Sequence, residues 1–140
     1  MAKKIEREIR IGVDLHGVID DNVDLFKIIS AMLLFGDIGN VKIYVISGPP
    51  KNEVLEELNK LRIYQGVHYT DVYTIVDFLK EQDVKMWLDY KNTWWASDKD
   101  WWGAKAKISE QLDIDLMIDN TKNYKKYFKE INIKFVLYPK

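Results

Sequence analysis

Cysteine is absent from this 140-residue chain, which excludes disulfides and thiolate metal sites and leaves the compartment open. Proline and glycine are few, 3 and 7, and they pool nowhere, so no linker, low-complexity segment or repeat divides the chain. No apolar run approaches the roughly 20 residues that a membrane-crossing helix needs. The amino-terminal stretch MAKKIEREIR has too many charges and too few apolar residues for a secretory signal, which makes a cytoplasmic location the default expectation. Neither sign of charge dominates. Lys and Arg number 21 against 22 Asp and Glu, a net charge of -1, so the balance gives no sign of long-range attraction to nucleic acid or an anionic membrane.

What is present is the composition of a soluble globular domain, 47% hydrophobic and 31% charged. The length suits one domain over 1–140 with a real core. Ile9, Ile11 and Val13 read as a strand ending at Asp14. Asn22 to Phe35 reads as a helix with Val23, Phe26, Ile29, Leu33 and Leu34 on its buried face, closed by Gly36 and Gly39. VKIYVIS, 41–47, is apolar enough for a strand covered on both faces, and Gly48-Pro49-Pro50 stops it. Pro50 starts a helix bearing Val54, Leu55, Leu58 and Leu61. Val72, Ile75, Val76 and Leu79 predict a further helix to about Gln82, and VKMWLDY, 84–90, a third strand. A tryptophan-rich stretch leads into a helix through Leu112. IDLMIDN then gives a fourth strand ending on Asp119, residues 122–129 a short helix, and IKFVLYP, 133–139, a last strand. The alternation predicts an α/β fold, a three-layer parallel sheet of about five strands with helices on both faces.

In such sheets ligands bind beyond the carboxyl ends of the strands. Asp14, Ser47 and Asp119 all stand at strand ends, so two carboxylates and a hydroxyl are expected in one crevice. Paired carboxylates repel, and a hard cation such as Mg²⁺ held through oxygen would relieve them. The alternative for each acid alone is a turn or cap residue. On the helix after the tryptophans, Trp101, Ala104, Ile108 and Leu112 form the apolar stripe. Lys105 falls on that stripe and Lys107 points away. An inward lysine wants an anion, such as a phosphate, unless it snorkels to water.

These residues resemble the motifs of the haloacid dehalogenase-like hydrolase superfamily, mostly phosphatases acting through a phospho-aspartate. Asp14-Leu15-His16-Gly17-Val18-Ile19 resembles the first motif, with Asp21 matching an acid found further along. Ser47-Gly48 matches the second motif and Lys105 the third. KAKISEQLDIDLMIDN resembles the run into the fourth, commonly Asp-Asp and here Asp119-Asn120. The resemblance implies a Rossmann-like fold with a minimal cap or none, and hydrolysis of phosphomonoesters through an aspartyl-phosphate. Asp14 is then the nucleophile, with Ser47, Gly48, Gly17 and Lys105 binding the phosphoryl group. Mg²⁺ would be held by Asp14, the His16 carbonyl and Asp119, with Asn120 beside them.

His16 stands where the family has a second aspartate, its general acid and base. Imidazole can do that work near neutral pH, or His16 can simply bond a neighbouring carbonyl. His68 has no evident partner and reads as structural. Trp94, Trp95, Trp101 and Trp102 precede Lys105. Trp101 belongs to the core, whereas the others suit stacking on a base, core filling or an oligomer contact. The Gly-Val pair and the downstream acid also look like those of deoxyribonucleotidases. The leading expectation is thus a nucleotidase-like phosphohydrolase acting on a phosphorylated small molecule, nucleotide or nucleic-acid end. The first rival is a catalytically weak or inactive binding protein of the same fold. The second is a phospho-receiver domain, whose lysine would follow the last strand.

Overall fold

The computed structural model describes residues 5–36 and 39–138. Positions 1–4 of the charged amino-terminal stretch, 37–38 of the loop and Pro139 of the last strand's reading lie outside the described residues. Five strands form one parallel sheet: β1 (Ile5–Val13), β2 (Gly39–Ser47), β3 (Asp71–Thr74), β6 (Leu116–Asp119) and β7 (Lys134–Leu137), in the order β3-β2-β1-β6-β7. Two further strands, β4 (Trp87–Leu88) and β5 (Trp94–Trp95), make a separate antiparallel hairpin. The helices are α1 (Val23–Phe35), α2 (Lys51–Lys60), α3 (Ile75–Glu81), α4 (Asp98–Gln111) and α5 (Lys125–Phe128).

Alternation along the strands builds two cores. Ile43, Val45 and Val72 point to one face and pack with Val54 and Leu58 of α2 and, at the margin, Val23, Phe26 and Leu33 of α1. Tyr44, Ile46 and Met117 point to the other, against Val76, Leu79, Ala104, Ile108 and Phe128. Each fully buried aliphatic here contributes about 1.5–3 kcal/mol relative to exposure. Helices on both faces of a parallel sheet are therefore what the strand composition requires.

The chain departs from sequence expectation in three places. Residues 84–90 supply no strand of the five-stranded sheet, only the short β4 of the separate hairpin. Only Trp87 and Leu88 extend, both about half exposed, and they pair with Trp94 and Trp95 of β5 instead of with the edge strand β3. The strand at that edge is Asp71–Thr74, where the spacing from Val72 predicts helix. Its inward residues Val72 and Thr74 alternate with half-buried Asp71 and Tyr73, but Val72, Ile75, Val76 and Leu79 also satisfy helical spacing. The helix starts only at Ile75, where the Thr74 hydroxyl accepts from the Asp77 amide at 3.2 Å. On α1, Ile29 lies outside the buried face and Ser30 takes its place. Leu25, Ile28, Ile29, Met32 and Phe35 are 47–69% exposed.

β1 lies at the centre. The chain winds β1→β2→β3 to one side and then crosses to β6→β7 on the other, so the direction reverses at β1. That is the topological switch point, where open α/β sheets bind ligands. Val13 pairs with both Val45 and Ile118. Register alone therefore sets Asp14, Ser47 and Asp119 within two residues of one row.

Candidate active site

β1 ends at Asp14, whose amide still donates to the Ile118 carbonyl at 3.1 Å. The next five residues form a tight turn, anchored by Leu15 and Ile19, both fully buried. Burial of these two leaves His16 on the outside. Gly17 takes φ +86°, and a Cβ there would stand 2.0 Å from the Asn120 amide. Glycine is required at this position by both conformation and space.

Lys105 joins the two acids. Its Nζ donates to Asp119 Oδ2 at 2.6 Å and lies 3.2 Å from Asp14 Oδ1. All three are buried, Lys105 to 1% exposure, and it is the largest fully buried side chain among the described residues. The expected inward lysine is thus where the helical stripe put it, and Lys107 is exposed. Tyr124, also buried, holds its ring 4.3 Å from Lys105 Nζ, a cation–π contact of the kind that strengthens when desolvated. Burial alone would push the Lys105 ammonium toward neutrality, but Asp14, Tyr124 and Asp119 outweigh it and hold its pKa above the ordinary value. Burial raises the Asp14 pKa, and Lys105 offsets this only in part, because Asp119 shares the same ammonium. Two carboxylates around one ammonium leave the cluster one negative charge in excess.

Ser47 Oγ is buried and has no hydrogen-bond partner among the described residues. Ser109 Oγ is in the same state, but it sits in the last turn of α4, on the approach to the amino end of β6. A buried hydroxyl left unbonded is costly, so Ser47 is left free to donate to an acceptor at this end of the sheet.

Asp119 turns wholly inward. Its Oδ1 accepts from the Thr121 amide at 3.0 Å and its Oδ2 from Lys105. Asn120, by contrast, places one atom of its amide 3.2 Å from Asp14 Oδ2 and 3.1 Å from the His16 carbonyl oxygen. Nitrogen at that position donates to both. Oxygen there completes a cluster of three oxygens, which a cation would hold together. Neighbouring ligands of an octahedral Mg²⁺ at about 2.1 Å stand roughly 3 Å apart. With the Asn120 oxygen at that position the residues present fit the ion, and Asp14, the His16 carbonyl and Asn120 would hold it, with Asp119 behind them.

The His16 ring pairs with Glu57 of α2, Nε2 to Oε2 at 2.7 Å, with both side chains half exposed. The Gly17 amide donates to Asp20 Oδ1 at 2.7 Å, and Asp21 accepts from the Tyr138 hydroxyl at 2.8 Å. His68 has a structural partner, its Nδ1 accepting from the Tyr64 amide at 2.9 Å. Beside Gly48, a cavity of about 250 Å³ is lined by Pro49, Trp94, Trp101 and the hairpin tip Lys91–Thr93. Lys80 Nζ sits 4.1 Å over Trp94. Trp102 packs edge-on to Tyr124, whereas Trp95 tilts against Trp101.

Glu57 and Tyr124 were not evident from the sequence. Glu57 carries no signal of a partner 41 residues away. Tyr124 is hinted at only by its helical spacing from Phe128. The fold and the site together define a three-layer α/β protein with a buried acid–lysine–acid cluster at its switch point. The chain matches no family model, no curated protein and no solved structure. No helix among the described residues is long and apolar enough to cross a membrane.

Proposed function

We propose that the chain is a Mg²⁺-dependent phosphohydrolase of the haloacid dehalogenase-like type, hydrolysing phosphomonoesters of nucleotides or nucleic-acid ends through an aspartyl-phosphate at Asp14. The observation that carries this reading is the cluster itself. Asp14, Lys105 and Asp119 are buried in mutual contact at the switch point, next to a buried Ser47 hydroxyl without a partner. A phosphoryl group supplies what the cluster lacks, since its oxygens accept from Ser47 and Lys105. Bound Mg²⁺ would neutralise charge between the carboxylate and the phosphoryl oxygens.

In the first step Asp14 attacks phosphorus while the ester P–O bond breaks, and protonated His16 gives its proton to the leaving oxygen. Neutral His16 then takes a proton from water, which attacks phosphorus. The bond from phosphorus to Asp14 breaks, releasing phosphate. Glu57 orients the imidazole, as a carboxylate partner does in other acid–base dyads. The cavity beside Gly48 offers room for the leaving group. The test is phosphate release from p-nitrophenyl phosphate and nucleoside monophosphates with Mg²⁺. Equal rates for wild type and Asp14→Asn would remove the proposal.

One observation favours a second reading, a binding protein of the same fold with little turnover: the His16 ring is already engaged with Glu57 at the surface. Glu57→Gln separates the two. If His16 is the working acid and base, losing its orienting partner lowers kcat about tenfold or more while leaving phosphate binding in place. Unchanged kcat in Glu57→Gln would assign the pair to the surface alone.

A further inference from the structure

The face that follows Asp119 has a charge the whole chain does not. Lys122 of the short 3-10 turn (Lys122–Tyr124) and Lys125, Lys126 and Lys129 on and just after α5 are spaced i, i+3, i+4, i+7, so they emerge on one side, and all four are exposed. The opposite side is buried through Tyr124 and Phe128. Among the described residues, no carboxylate pairs with any of the four. With Asn123 and Trp102 these lysines line an open groove of about 410 Å³. A net charge of -1 hides this local asymmetry.

Four ammoniums in a row, none with a carboxylate partner among the described residues though Lys126 also lies 5.1 Å from the Tyr127 ring, suit a run of anions on one backbone better than a single anion. The indole of Trp102 adds a surface on which a base can stack. An acidic peptide would use the lysines and leave the indole idle. A membrane surface would need several apolar residues among the lysines, and this groove has only Trp102. We infer that this face binds single-stranded nucleic acid, with phosphates on Lys122, Lys125, Lys126 and Lys129 and a base against Trp102. The face adjoins the site: Lys122 follows Asp119 by three residues, and Tyr124 contacts both Trp102 and Lys105. The further step, that the reacting phosphate is the end of the bound strand, rests on the phosphohydrolase reading; the binding itself does not.

The experiment is fluorescence anisotropy of a labelled single-stranded oligonucleotide without Mg²⁺, over a series of salt concentrations. Each phosphate neutralised contributes about 0.7 to the slope of log K against log salt. Wild type is expected to show a slope between about -2 and -3, and the double variant Lys125→Glu/Lys126→Glu a slope nearer about -1 with at least roughly tenfold weaker binding at low salt. Both lysines are exposed, and a melting curve verifies the fold of the variant. No binding at low salt, or an unchanged slope and affinity in the double variant, overturns the inference. Equal or tighter binding to anionic vesicles or polyglutamate overturns the choice of nucleic acid. Retained oligonucleotide binding in a protein that releases no phosphate would defeat the phosphohydrolase reading alone.

Discussion

Lys105→Met destabilises the protein by about 3–5 kcal/mol, the cost of stripping one partner from a buried ionic cluster. Methionine nearly fills the volume, so the loss is electrostatic. Asp14 and Asp119 are left buried without a counter-ion. In a domain of this size the melting temperature falls by about 10 °C or more. Adding Asp119→Asn to Lys105→Met removes one orphaned charge and recovers part of the loss. Urea unfolding of the single and double variants checks both statements. A loss under about 1 kcal/mol in Lys105→Met would mean that the cluster is solvated.

Asp14→Asn behaves in the opposite way. Phosphate release falls by at least about 10³-fold, because an amide is no nucleophile toward phosphorus. Stability stays within about 1 kcal/mol of wild type or rises, since Lys105 keeps Asp119 and the excess negative charge is gone. The pH dependence follows from the same excess. The folded-state pKa of Asp14 is raised by burial. Its contribution is therefore fully present below the ordinary carboxylate value of about 3.9 and is lost as pH rises through the raised value. Metal-free wild type should lose stability over that window, and Asp14→Asn should flatten the curve. Denaturation midpoints from pH 3 to 8 measure it.

What was legible in the chain is what local pattern encodes. Apolar runs cut short by Asp14, Ser47 and Asp119 marked the strand ends, and parallel register brought those ends together. The 3.6-residue period placed Lys105 inside, because α4 has one clear apolar stripe. β3 was hidden because four residues are too few to show alternation, and Val72 belongs equally to a helical pattern. Residues 84–90 looked like a strand because apolar residues also build an exposed hairpin. Asp119 binds Lys105 and Asn120 reaches Asp14 and the His16 carbonyl. Adjacent residues on a strand face opposite ways, and only the turn after β6 decides which reaches Asp14. The pairing of His16 with Glu57 and the lysine face depend on distant or local geometry that motif spacing and net charge average away.

A crystal structure with Mg²⁺ and vanadate tests the central claim most directly. The account predicts vanadium bonded to an Asp14 carboxylate oxygen, its equatorial oxygens accepting from Ser47 Oγ and Lys105 Nζ. The ion would be held by Asp14, the His16 carbonyl and Asn120. Vanadate seated elsewhere, or a cleft unchanged at saturating concentrations of both ions, would contradict it.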